Sequence, residues 1–163
     1  NGNTTNGTER MRIDSAGNVT AATNCSFAAT RAAQVTQVTG DGTAYTIVYN
    51  SETFDKGSDY DGSTTFTAPV TGVYQLSGQV YLQDCTSSHT TRTLGIVTSN
   101  RTYNIAREGS ASDASNNVIL NGTVLADMDA SDTATLVVTV TSGTKTVDVA
   151  GGIGGGFQGR LVQ

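Results

Sequence analysis

Tryptophan is absent from this 163-residue chain, proline and histidine each occur once, cysteine twice, and charged residues make up only 14%. Each shortage removes a class of protein. A single histidine, His89, lying in a Ser/Thr-rich stretch, leaves little from which to assemble a Ser-His-acid site, and it reads as a solvated loop residue. Cys25 and Cys85 are far apart and fit no metal-ligand spacing; they are either two buried thiols or one incidental bridge. Nine Lys and Arg against fourteen Asp and Glu, for a net charge of -5, leave no basic surface with which to track phosphates, so nucleic acid is not an expected partner. No apolar run approaches the ~18–20 residues that span a bilayer, so membrane insertion is not expected either.

What the chain does have is glycine, threonine and valine, with an apolar fraction of 36%. Branched side chains and threonine suit a pleated surface and glycine supplies turns, which is a β composition. At this length one domain with a modest extension is expected. The first residues, NGNTTNGTER, contain no signal-peptide core and no initiator methionine, so the chain reads as a piece of something longer. Six Asn-x-Ser/Thr sequons begin at Asn3, Asn6, Asn18, Asn24, Asn100 and Asn121, a number that so Asn- and Thr-rich a composition produces by chance.

The clearest element lies within YDGSTTFTAPVTGVYQLSGQVYL, residues 60–82. Tyr74, Leu76, Gly78, Val80 and Leu82 alternate with Gln75, Ser77, Gln79 and Tyr81, the period-two pattern of a strand buried on one face. Before it, a short strand ends at Pro69, which has no N–H to donate, and Gly72 is expected to supply a positive φ in the turn. Phe66 and Tyr74 bring aromatic area to a core that draws on only six Tyr and four Phe. Strand-length segments continue on both sides. CSFAATR, with Val35 and Val38 beyond it, favours extended structure over a short helix. Tyr45, Ile47 and Tyr49 alternate, as do Leu94 and Ile96, Val118 to Ala126, and Ala134 to Val140. Phe157 and Leu161 share a face of the last segment. Eight to ten short strands at regular spacing predict a sandwich.

Candidate sites are sparse. Asp55, Asp59 and Asp61 stand close together in a Gly-rich loop and are either Ca²⁺ ligands or a solvated turn; no other cofactor is indicated. Gly154, Gly156 and Gly159 formally satisfy G-x-G-x-x-G but open a strand rather than a helix, so they do not cradle phosphate. Three polar loops, Asp55–Gly62, Thr86–Thr90 and Arg107–Asn116, form the candidate binding surface, with Asp55, Asp59, Asp61, Ser87, His89, Arg107 and Asp113 as contact residues. Tyr81, Ile119, Leu125 and Val137 fall opposite the core-facing positions, and strands apolar on both faces are normally covered on both.

Two resemblances extend this reading. GTERMRIDSAGNV, residues 7–19, resembles the ERMRID-S-x-GNV segment that recurs before the C-terminal domain of bacteriophage tail-fibre and tail-spike proteins, although Thr20-Ala21-Ala22-Thr23 replaces the usual Gly-Ile-Gly-Thr. From residue 25 onward the chain resembles the globular domain of the complement C-one-q family, which shares the tumour-necrosis-factor jelly roll. Tyr60-Asp61, Thr65, Phe66, Ala68-Pro69, Gly72 and Tyr74 stand where that family has YD-x-x-T-x-x-F-x-x-P-x-x-G-x-Y, compressed here by a residue or so. Phe27-Ala28-Ala29-x-Arg31 is similar to its first strand, residues 124–138 to its L-x-L-x-x-G-D-x-V-x-L hairpin, with Ser131-Asp132 for Gly-Asp, and Phe157-Gln158-Gly159-Arg160-Leu161 to its closing F-S-G-F-L.

These resemblances imply an all-β, TNF-like jelly-roll sandwich of about ten antiparallel strands over residues 25–163, preceded by a fibre-derived segment, residues 1–24. Phe66, Pro69, Gly72, Tyr74, Phe157 and Leu161 are its structural residues. They further imply a homotrimer packed about a three-fold axis, a virion location, and a non-enzymatic role in attaching to a host receptor or glycan. A secreted or cell-surface lectin-like domain and a purely structural fibre cap are the alternatives.

Overall fold

The computed structural model describes residues 11–17, 19–21, 25–110, 112–152 and 155–162. Glu9 and Arg10 of the fibre-like motif, the sequons at Asn3, Asn6, Asn18 and Asn24, and Gly154 lie outside the described residues.

The fibre-like segment is a hairpin. Strands β1 (Met11–Ile13) and β2 (Val19–Ala21) pair antiparallel, Met11 with Ala21 and Ile13 with Val19. The turn closes through the Gly17 amide on the Asp14 carbonyl at 3.0 Å, with Gly17 at φ +86°. Such a φ costs a glycine little and a residue with a Cβ much more.

The remaining described residues form two facing antiparallel sheets. The first is built on β12 (Thr133–Thr141), which pairs along one edge with β9 (Thr91–Thr98), itself paired with β10 (Thr102–Glu108). Its other edge is shared by β5 (Ala44–Thr46) and β7 (Thr65–Thr67). The second sheet is built on β8 (Gly72–Gln83), which pairs with β11 (Val118–Met128) over its whole length from Gly72↔Met128 to Leu82↔Val118. The other edge of β8 is divided between β14 (Gly156–Leu161) and β13 (Val147–Val149). The sheet extends from β14 to β3 (Ser26–Thr30) and β6 (Ser51–Lys56), and from β13 to β4 (Val35–Thr39).

The expected alternation in β8 holds: Tyr74, Leu76, Val80 and Leu82 are buried, facing Leu94, Ile96, Leu136 and Val138. Gly78 completes that face because a Cβ there would overlap the Leu136 side chain, which fills the space instead. At one end of the sandwich the aromatics gather. Phe27 stacks on Phe66 at 4.8 Å and on Tyr60 at 5.1 Å, meets Phe157 edge-on at 5.0 Å, and Phe66 lies 5.5 Å from Tyr74. Offset and edge-on pairs of this kind add to the area each ring buries. Leu161, paired with Tyr74, packs half-buried against the core.

Two expectations change. Gly72 is not at positive φ; it opens β8, and the turn before it is held by the Tyr74 hydroxyl donating to the Val70 carbonyl at 2.7 Å. Of the two alternatives for Cys25 and Cys85, the structure has two free, buried thiols. Strands β6 and β10 run into the expected loops Asp55–Gly62 and Arg107–Asn116, so Asp55 and Arg107 sit in strands.

Candidate functional site

The register of the two sheets sorts the loops into two ends. Residue 25 leads into β3 beside residues 160–162, 73–75 and 126–129, so this is the end at which the chain enters the sandwich. The Asp55–Gly62 loop lies here, since Phe27 pairs with Asp55 and Ser26 with Lys56. The loops at 84–90, 109–117, 142–146 and 40–43 lie at the far end, where Leu82 meets Val118 and Thr91 meets Thr141. The expected binding surface is therefore split: Asp55, Asp59 and Asp61 are separated by the length of β8 from Ser87, His89, Arg107 and Asp113.

At the entry end the three carboxylates serve the chain itself. Asp55 accepts the amides of Asp59 at 3.3 Å and Tyr60 at 3.0 Å through different oxygens. Asp61 Oδ1 accepts the amides of Ser63, Thr64 and Thr65 at 2.8, 2.8 and 2.9 Å. Burial alone pushes the Asp61 carboxyl up, but the amides of Thr65, Ser63 and Thr64 together outweigh it and hold the group below the ordinary aspartate range. Asp59 lies against the Cys25 thiol, which is pushed up to about 12, first by burial and then by that hydrogen bond and the nearby negative charge of Asp59 and Asp55. A thiol so raised is a packing group, not a nucleophile. Among the described residues no three His, Cys, Asp or Glu side chains come together as a metal set, so Asp55, Asp59 and Asp61 are not gathered as a Ca²⁺ site.

The far end is braced by two buried polar side chains. His89 is 1% exposed, which corrects its reading as a solvated loop residue. Its Nε2 faces the Thr144 carbonyl at 3.1 Å and its Nδ1 the Thr86 hydroxyl at 3.2 Å. A carbonyl only accepts, so Nε2 carries a proton and donates to Thr144. The ring packs on Gly143, where a Cβ would overlap it, and the Gly143 amide donates to the Gly40 carbonyl at 2.9 Å. One imidazole thus joins three loops. None of these partners is a carboxylate, so His89 has no orienting acid and no catalytic role follows from it.

Arg92 is the second brace. Fully buried, it donates to the carbonyls of Gly109, Cys85 and Ser110, tying the 109–117 loop to the 84–90 loop, and the Cys85 amide donates to Asn116 at 2.8 Å. The Cys85 thiol is pushed up by burial despite the opposing pull of Arg92. The sequence carries one signal for Arg92: period two puts it on the same face as Leu94 and Ile96. Ser87, Arg107 and Asp113 are exposed on this platform, and Asp113 accepts the amides of Asn117 and Ser115 at 2.8 Å each, which hold its carboxyl below the ordinary range.

A third surface is the outer face of the second sheet. Ile119 and Leu125 on β11 and Phe54 on β6 are 49%, 62% and 44% exposed, and Tyr81 is half-buried beside Ile119. Val137 belongs to the outer face of the other sheet, among the threonines of β12, so the apolar positions expected to act together divide between the sheets. Phe54, Ala28, Gln158, Ser77 and Thr123 form one continuous row across the second sheet, and an open trough of about 520 Å³ runs over it.

No protein-family model matches this sequence, and no curated protein matches it. Solved structures do. The globular domain of zebrafish complement 1qA is 15% identical with a TM-score of 0.59, covering 85% of this chain and 98% of that one. Murine APRIL is 12% identical with a TM-score of 0.58, covering 86% and 99%. The Eiger TNF of S. frugiperda is 14% identical with a TM-score of 0.51, covering 86% and 92%. At such identities the likeness is one of architecture, and the architecture is the all-β jelly roll of the complement C-one-q and TNF domains.

Proposed function

We propose that residues 25–163 are the non-enzymatic, homotrimeric head of a tail-fibre-like virion appendage, that residues 1–24 are its stalk-derived lead-in, and that the far-end loops contact the host surface. The observation that carries the trimer is the outer face of the second sheet. Its outward positions on β3, β6, β8, β11 and β14 include three charged residues, Lys56, Asp127 and Arg160, while Phe54, Ile119 and Leu125 stand exposed around a trough. Depletion of charge around large apolar groups marks a surface that another protein covers. The outer face of the first sheet is largely a threonine ladder, suited to water. The fold likeness and the fibre-like motif of residues 7–19 support the same assembly.

Attachment at the far end rests on its rigidity and its direction. His89 and Arg92 fix four loops before any partner arrives, which lowers the ordering cost of binding, and these loops point away from the end at which the chain enters. Three copies present each loop three times, so weak contacts to a repetitive surface gain by avidity. Light scattering of the full chain at micromolar concentration is expected to give three times 16.8 kDa. Fluorescently labelled trimer is expected to bind host cells, with Ser87→Ala/Arg107→Ala weakening binding and Asp59→Ala at the entry end leaving it unchanged. A stable monomer overturns the assembly; a trimer that binds no cell surface overturns attachment and leaves a structural cap.

A further inference from the structure

At the far end, between the loops that leave β8 and β12, lies an open hollow of about 660 Å³. Asp84, Thr86 and Ser88 form one wall, and Ser142, Thr144 and Thr146 the other. Left-handed backbone at Asp84, φ +60°, and at Ser142, φ +75°, turns each wall out of its strand. The walls are fixed to one another: His89 Nε2 donates to the Thr144 carbonyl at 3.1 Å, and the Thr90 hydroxyl donates to the Ser142 hydroxyl at 2.7 Å. Each is also anchored from behind, by the Cys85 amide on the Asn116 carbonyl at 2.8 Å and the Gly143 amide on the Gly40 carbonyl at 2.9 Å. The fold itself thus sets the width of the hollow, which lowers the cost of binding in it. Among the described residues, the Asp84 carboxylate and the Ser88 and Thr144 hydroxyls bond no protein group, and the Ser142 hydroxyl, which accepts from Thr90, keeps its own proton to donate.

We propose that this hollow binds a neutral carbohydrate, with Asp84 accepting from two neighbouring hydroxyls of one sugar residue and Ser88, Ser142 and Thr144 exchanging hydrogen bonds with the others. This names the ligand class for the attachment reading above and rests on it, but not on the trimer. A carboxylate only accepts and a hydroxyl both donates and accepts, so the matching ligand carries several hydroxyls on adjacent carbons. Threonine adds a methyl to each hydroxyl, which suits the mixed polar and C–H surface of a sugar ring. Anionic ligands are disfavoured, because the lining holds a carboxylate and no Lys or Arg. A bare cation meets one carboxylate and, among the described residues, no metal set. An apolar ligand or a protein anchor meets no aromatic or large aliphatic side chain. The volume falls in the usual range of small-molecule sites, enough for one or two sugar residues.

Amide NMR of the full chain, titrated with the methyl glycosides of glucose, galactose and mannose and with N-acetylneuraminic acid, tests this. At least one neutral glycoside is expected to move the signals of residues 84–88 and 142–146 at about millimolar concentration, and the acid to move none of them. Asp84→Asn keeps the side-chain shape and tolerates the left-handed backbone, so its melting temperature is expected to stay at the wild-type value. Its affinity for that glycoside falls about ten-fold or more, as the loss of a charged acceptor does. Asp59→Ala, at the entry end, leaves the affinity unchanged. No movement at the hollow with any of the three glycosides, stronger movement with the acid, or equal affinity in Asp84→Asn overturns the proposal. Labelled protein on host cells separates this from attachment. Cells bound by a protein that takes none of the glycosides overturn the sugar site and leave attachment standing, whereas a glycoside-binding protein that binds no cell keeps the site and removes attachment.

Discussion

Asp61 spends a single carboxylate oxygen on three consecutive backbone amides, and this explains why an acidic cluster that resembles a cation site in sequence is instead a turn. Carboxylate type and spacing alone do not separate the two, because both uses need oxygens in a glycine-rich loop. His89 was equally hidden: its Ser/Thr neighbours signal solvent, and only the approach of Thr144 and Gly143 from 55 residues away buries it. Tyr74 was legible, since its place in the alternation fixed its burial, although the hydroxyl bond to Val70 was not. The Asp61 arrangement has a pH consequence. Its folded pKa is lowered, so its contribution to stability is complete above the unfolded value of about 3.9 and disappears as pH falls through the lower folded value. Asp61→Asn is accordingly expected to melt below wild type at pH 6, with the gap closing as pH falls from about 4 toward 2. A gap that stays constant across that range removes the charge from the account.

The strands that the sequence displayed are those buried on one face along their whole length. β8, β11 and β12 alternate cleanly because each is flanked on both edges or packed across the sandwich. β6 and β10 are edge strands of mixed polarity, SETFDK and TYNIARE, and β13 is three buried residues beside a register shift, so none carries a period long enough to read. β10 also contains an irregularity between Asn104 and Ala106 that puts Ile105 over β11. There it meets Gly122, where a Cβ would overlap the Ile105 carbonyl. Bulges at sheet edges re-aim the chain, and this one brings the free edge of the first sheet against the second. Gly122→Ala is expected to destabilise by about 1–3 kcal/mol, as overpacking against backbone does. Gly109→Ala, where nothing lies within 4 Å, should be close to neutral. Denaturant melts of the two variants at equal protein concentration decide it; equal midpoints would mean the two edges do not touch.

In the whole molecule, the residues that reveal the fold and those assigned to recognition occupy different places. Phe27, Phe66, Tyr74 and Phe157, which carry the jelly-roll resemblance, are all buried in the aromatic cluster at the entry end. The platform that faces outward is built from short polar loops whose composition carries no period. The face proposed for assembly lies between these two, where Ile119 and Leu125 stand exposed on β11. Leu125, 62% exposed in the single chain, separates a solvent position from an interface position. If water covers it, Leu125→Lys changes stability by no more than about 0.5 kcal/mol and nothing else. If a second copy covers it, the lysine brings an unpaired charge into a closed contact and weakens association by about 2 kcal/mol or more. The variant is then expected to scatter as a 16.8 kDa monomer at concentrations where wild type is three times larger. Wild type should melt at temperatures that rise with concentration while the variant's do not, because only a folded oligomer is stabilised by mass action. A Leu125→Lys protein that keeps wild-type mass at every concentration would move the interface off this sheet.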